Sequence, residues 1–166
     1  MMSPQNKMSR TDSIWVKVPL KSSPEKYYGF FRNHMGDLVN LFPQYYSSIQ
    51  LVEGANFSPD CIIQFKYSLG ETGGRSLSAN VKIKTVDDAK KLLAYNIIEG
   101  DVLKHYKVFE VRMEVVNGGT SKGGGGSFAK WSVVFEKANE NVAAPEDYLE
   151  WFVKICKGVD AYFSKN

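Results

Sequence analysis

The end of the chain constrains the fold most. Pro145 opens a segment with Glu146 and Asp147 in its first turn, where acids complement the positive end of a helix. Tyr148, Trp151, Phe152, Ile155, Val159 and Tyr162 then recur at spacings of three and four, which defines one apolar helix face. About 19 residues at 1.5 Å each give roughly 28 Å of helix, enough to cross a whole sheet. A stripe of that length must be buried against something.

The rest of the chain supplies strands. Ser13 to Val18 places Ile14, Val16 and Val18 on one side, and Pro19 discourages continuation. Six more segments follow: Tyr45 to Val52, Ile62 to Tyr67, Leu77 to Thr85, Leu92 to Ile98, Tyr106 to Val116 and Phe128 to Phe135. Their alternation assigns an inner face. Phe65 and Tyr67 point in, as do Ala79, Val81 and Ile83, and then Leu93, Tyr95 and Ile97. Phe109, Val111, Met113 and Val115 oppose Glu110, Arg112 and Glu114. Ala129, Trp131, Val133 and Phe135 oppose Lys130 and Ser132. Short, turn-rich connections predict one antiparallel meander. Its hairpin loops are Ser68 to Gly74, Val86 to Lys90 and Asn117 to Gly126.

Two short helices are expected between the first and second strands. Ser23-Pro24-Glu25 supplies an N-cap, a first-turn proline and an acid. The helix carries Tyr27, Tyr28, Phe30 and Phe31 and ends near Gly36, with His34 at its solvated terminus. Asp37 caps a second helix through Leu41, closed by Phe42-Pro43. The fold class is therefore α+β: a seven-stranded curved antiparallel sheet around one long helix.

Composition narrows the function. Of 166 residues, 43% are hydrophobic and 13% aromatic, enough for a solid core or an aromatic-lined cavity in one domain spanning 11–166. The polar first ten residues are expected to be a disordered tail. A net charge of +3, from 21 basic and 18 interleaved acidic residues, argues against a nucleic-acid partner. The start lacks the apolar run of a secretory signal, and no stretch approaches the ~20 apolar residues of a membrane span. A cytoplasmic location is expected, with Cys61 and Cys156 as reduced thiols and Asn56-Phe57-Ser58 unglycosylated. The polar face of the long helix offers no dimer seam, so a monomer or weak dimer is expected.

The segment Glu99-Gly100-Asp101-Val102-Leu103-Lys104-His105-Tyr106-Lys107-Val108-Phe109 resembles the signature of major latex proteins, a plant branch of the birch pollen allergen (pathogenesis-related class 10) superfamily. Pro43-Gln44 with Ser47-Ser48-Ile49 and Val52-Glu53-Gly54 resembles that family's second strand, and Lys130-Trp131 with Phe135-Glu136-Lys137 its last. The resemblance covers about Thr11 to Phe163. It implies the helix-grip fold, a sheet wrapped around a C-terminal helix enclosing an apolar cavity. It also implies a carrier of plant metabolites or, in some relatives, a cofactor-free enzyme of specialised metabolism. Two departures stand out. The loop Gly54 to Asp60 has one glycine where many relatives are glycine-rich, which argues against phosphate binding there. His105 stands where the signature usually has tyrosine.

The candidate ligand-binding wall combines these inner faces: Phe31, Tyr46, Phe65 and Tyr67; Val81, Ile83, Leu93, Tyr95 and Ile97; Phe109, Val111, Met113 and Trp131. The long helix adds Tyr148, Trp151, Phe152 and Ile155, as core or cavity floor. Tyr46, Tyr67, Tyr95 and Tyr106 can donate hydrogen bonds to a ligand, since a buried phenol needs a partner. His105, Tyr95 and Tyr106 are the candidate acids if a reaction occurs, because histidine is the residue type that changes charge near neutrality. The glycine-rich run around Lys122 leads into a strand rather than a helix, so it reads as a flexible hairpin, not a phosphate cradle. Two histidines without clustered partners make no zinc set, and no nucleotide or hydrolase motif is present. No cofactor or metal is expected. Three functions remain: a binding module for small apolar metabolites, an enzyme that folds a reactive terpenoid or alkaloid intermediate toward cyclisation or isomerisation, and an interaction protein with an incidental cavity.

Overall fold

Alternation at period two carries through the computed structural model, which describes residues 11–54, 57–70, 76–117 and 126–164. The first ten residues, Asn56 and the glycine-rich run around Lys122 lie outside the described residues. The strands are β1 (Thr11–Pro19), β2 (Tyr46–Glu53), β3 (Ile62–Tyr67), β4 (Leu77–Asp87), β5 (Leu92–Gly100), β6 (Tyr106–Val116) and β7 (Phe128–Lys137). They form one sheet in the order β1-β7-β6-β5-β4-β3-β2. Every pairing is antiparallel. Register shifts interrupt β2–β3, β4–β5 and β6–β7. Such irregularities bend and twist a strand, which is how a meander curls around a helix.

Helix α1 (Pro24–Asn33) starts as expected: the Ser23 side chain accepts from Lys26 N at 3.1 Å, with proline in the first turn. Its far end is tied to the β4–β5 turn, where Asp88 accepts from the Tyr28 hydroxyl at 2.6 Å and from Arg32 Nε at 3.0 Å. A 3-10 turn (Met35–Asp37) leads into α2 (Leu38–Leu41). Asp37 occupies the N-cap position of α2, but its side chain makes no capping bond. The long helix α3 is Glu146–Ser164, 19 residues, with Tyr148, Trp151, Phe152, Ile155, Cys156 and Val159 buried.

Two buried acids were not foreseen. Asp160 lies on α3 and is 7% exposed. It accepts from Lys21 N, Ser22 N and Ser22 Oγ, which fastens α3 to the β1–α1 connection. Glu110 alternates outward on β6 as expected, yet is 9% exposed. Lys84 Nζ at 2.9 Å and Arg112 Nε at 3.5 Å cover it, which compensates the burial of its charge.

Candidate functional site

The space between sheet and helix is solid at one end and hollow at the other. At the solid end Trp131 stacks on Phe152 with centroids 4.9 Å apart and meets Phe31 edge-on at 5.4 Å. Trp131 Nε1 donates to the Tyr27 hydroxyl at 3.2 Å. Bulky side chains from α1 fill this end. Phe31, Ile83, Leu93, Met113, Trp131 and Ile155, all expected in the ligand wall, are buried in this packed core and border neither chamber described below. Cys156 is buried here as well, and burial pushes its thiol up to about 11, the condition of an inert structural cysteine.

At the other end lies an inner chamber of about 50 Å³. Eleven of the expected wall residues border it: Tyr46, Phe65, Tyr67, Val81, Tyr95, Ile97, Phe109, Val111, Tyr148, Trp151 and Phe152. Ala79 and Val102 complete the lining. Ala79 matters through its smallness, because it leaves space that a larger inward residue would occupy. Trp151 borders the chamber, stacked on Tyr67 (5.3 Å) and tilted against Tyr46 (5.2 Å). The chamber therefore holds a few waters or the tip of a ligand, not a whole metabolite.

A wider outer chamber of about 680 Å³ adjoins it. Its walls come from Ser68–Leu69, Ser76–Leu77, the 3-10 turn Asp101–Lys104, Val142–Ala144 and the start of α3. His105 and Tyr106 border this chamber rather than the inner one. Val102 and Tyr148 border both, and so form the partition between them. The Tyr148 hydroxyl is 2.6 Å from that of Tyr67, which locks the partition in place.

The three candidate acids stand apart. The Tyr106 hydroxyl donates to the Ala143 carbonyl at 2.5 Å, which ties it to the wall. His105 is exposed at the C-cap of the 3-10 turn, and its backbone bonds to Val102 and Ala138 hold the turn in shape. Tyr95 is only partly buried as a residue, yet its phenol end lies deep enough that burial pushes its pKa well above the usual range. Among the described residues no three metal-ligating side chains come together.

Burial also raises the phenols of Tyr46 and Tyr148, and that of Tyr67 to about 12. These groups are neutral donors at physiological pH. A folded pKa above the unfolded value of 10.0 gives stability that is complete below pH 10 and lost as pH rises toward 12. Unfolding free energies from urea denaturation are thus expected to hold up to pH 10 and then fall, by about 1.4 kcal/mol per pH unit for each such phenol. Absorbance at 295 nm should show these tyrosines ionising only as the chain unfolds. Ionisation in a folded protein at pH 10 would contradict their burial.

A curved antiparallel sheet gripping a long helix around an apolar chamber defines the helix-grip class, a hydrophobic ligand-binding fold. Residues 9–166 match the model of the Pathogenesis-related protein Bet v 1 family, and the chain belongs to that family. MLP-like protein 34 of Arabidopsis thaliana is 30% identical over 162 residues, which cover 98% of this chain and 49% of that relative. The chain thus spans about half the length of that relative. The major latex protein resemblance seen in the sequence is borne out. The crystal structure of ginseng major latex-like protein 151 from Panax ginseng superposes with a TM-score of 0.83 at 21% identity, covering 93% of this chain and 99% of that one. Norcoclaurine synthase from Thalictrum flavum, solved in complex with dopamine and hydroxybenzaldehyde, has a TM-score of 0.73 at 16% identity, covering 98% and 92%. At these identities the two structures bear on the fold alone. Among the described residues, no helix is long and apolar enough to cross a membrane.

Proposed function

We propose that this protein binds small apolar plant specialised metabolites of terpenoid, sterol, flavonoid or alkaloid type, as a carrier or reservoir. The observation that carries this reading is the pair of chambers sharing Val102 and Tyr148. The outer one falls within the roughly 300–1,000 Å³ of small-molecule sites. The inner one adds an apolar recess for one end of the ligand. The body of the metabolite rests in the outer chamber and its leading end passes the partition.

A second reading is a cofactor-independent enzyme that cyclises or isomerises a reactive terpenoid or alkaloid intermediate. Its support is His105, which borders the outer chamber and makes no side-chain hydrogen bond to another described residue, together with the fold shared with norcoclaurine synthase. In that case the chamber orients the substrate and excludes water, while His105 and Tyr95 serve as proton donors. Tyr106 is the weaker candidate because its hydroxyl is already committed to Ala143.

One experiment separates the readings. The purified protein is incubated with a metabolite extract of its source tissue, and bound and free compounds are identified by mass spectrometry. The carrier reading expects one compound class retained unchanged. The enzyme reading expects a new product. Val102→Phe, which narrows the partition, should lower retention or turnover about tenfold, equivalent to the ~1.4 kcal/mol of a moderate steric clash. No retention and no conversion by the wild type would leave an interaction protein with an incidental cavity.

A further inference from the structure

Two hydroxyls of the inner chamber have no partner in the fold. Those of Tyr46 on β2 and Tyr95 on β5 make no hydrogen bond to another described residue. They differ from the other unpaired donor nearby, the Trp151 indole N–H, which is sealed among packed side chains where water does not reach it. The two phenol oxygens stay open to contact. Bulk solvent does not supply that contact, because Tyr46 is 6% exposed and the phenol end of Tyr95 lies deep. Both side chains line the inner chamber, so the open surface of their oxygens faces into it. The curl of the sheet brings the two phenols near each other although β3 and β4 separate their strands, and a charge on Tyr95 would push the Tyr46 phenol up. Buried polar groups in native structures are nearly always paired, with protein, water or ligand.

The rest of the wall decides which partner fits. No lysine, arginine, histidine, aspartate or glutamate lines the chamber, so a carboxylate or an ammonium would be buried there without a counter-charge. An alkyl end would leave both hydroxyls unpaired. The Tyr67 and Tyr148 hydroxyls, also in the wall, are already joined to each other at 2.6 Å. A phenol both donates and accepts. Two phenols therefore satisfy one neutral oxygen in either of its common forms. Both donate to a carbonyl, or one donates to an alcohol while the other accepts from it. A group of that size suits a recess of about 50 Å³.

We infer that the inner chamber is a recess for one neutral oxygen, in which the Tyr46 and Tyr95 hydroxyls bind the alcohol or ketone group at the leading end of an otherwise apolar ligand. The inference rests on the ligand-binding reading above and specifies its chemistry. In the free protein, water takes the place of the ligand oxygen. The two phenols select by functional group: an oxygenated metabolite is preferred over the hydrocarbon of the same skeleton. Phenylalanine at either position would fill the same space and lose that selection.

The test uses 2-tetralol, 2-tetralone and tetralin, which share a bicyclic skeleton and differ only in the oxygen group. Affinities are measured by calorimetry on the full chain, in the wild type, Tyr46→Phe and Tyr95→Phe. The wild type is expected to bind an oxygenated compound roughly threefold to tenfold more tightly than tetralin for each hydrogen bond gained. A gain for the ketone alone assigns a carbonyl to the recess, and a gain for the alcohol assigns a hydroxyl. Each variant should lose its share of the preference and keep the affinity for tetralin. Their melting temperatures should not fall, since neither hydroxyl bonds within the fold. Tyr67→Phe, which breaks the bond to Tyr148, should instead lower the melting temperature by about 2–4 °C. The wild-type comparison decides alone if neither variant folds. Equal affinities for the three compounds, or an unchanged preference in both variants, would overturn the oxygen recess while leaving apolar binding intact. Saturable binding of none of them would overturn both.

Discussion

Replacing Gly100 by alanine is expected to lower the melting temperature by about 10 °C, a loss of about 3 kcal/mol at two to four degrees per kcal/mol. Gly100 closes β5 with φ 141° and ψ 178°, a region open essentially to glycine. A Cβ there would lie 2.4 Å from the Ser78 carbonyl oxygen and 2.7 Å from Ala79 Cα. Both are backbone atoms of the paired strand β4, so neither can swing aside. The close approach has a purpose. The next residue, Asp101, accepts from Ser78 N at 2.8 Å, which satisfies a backbone donor beside the register shift. Val102, the partition residue, follows at once. Thermal denaturation followed by circular dichroism measures the loss. Gly29→Ala provides the contrast: Gly29 sits inside α1, and a Cβ there meets nothing within 4 Å. That change should stabilise by about 0.5–1 kcal/mol. Similar melting curves for the two variants would refute this account of the turn.

The Glu99-Gly100-Asp101 motif shows how far sequence reasoning reached. It was legible as a family signature, and the structure supplies its physics. The seven strands and their inner faces were legible because period-two alternation survives any packing arrangement. Their ends were not, and β4 runs on to Asp87 where Thr85 was expected, because hairpin pairing extends a ladder beyond its apolar residues. Core and cavity wall could not be separated in the sequence. Phe31 and Phe65 look alike as aromatic residues of inner faces. Only the three-dimensional position of α1 puts Phe31 among filled space and Phe65 beside a void. Val102 was hidden because it lies in a turn, where periodicity says nothing. The unpaired Trp151 donor was hidden because an apolar helix face reveals burial and not hydrogen bonding.

Asp160 is the omission that a helical wheel could have prevented, since it falls four residues after buried Cys156 on the same face. Asp160→Ala is expected to cost about 3 kcal/mol, because it strands buried donors rather than merely removing an attraction. One oxygen, Oδ1, accepts from Ser22 N at 2.8 Å, Ser22 Oγ at 2.6 Å and Lys21 N at 3.0 Å, while Oδ2 accepts only from Lys21 N at 3.0 Å. That asymmetry fixes an order. Asp160→Asn can keep its oxygen toward Ser22 and loses only the bond at Oδ2, so it should cost about 1–2 kcal/mol. Ser22→Ala, which deletes a single hydroxyl donor, should cost about 1 kcal/mol. Urea denaturation of the three variants measures the ranking, and an asparagine variant as unstable as the alanine one would show that charge, not hydrogen bonding, holds this joint. Asp160 borders neither chamber, so ligand affinity per folded molecule should be unchanged in Asp160→Asn. A buried carboxylate facing two backbone donors and a hydroxyl is thereby a fastening of the grip, and its loss should loosen α3 from β1 without touching the wall that meets the ligand.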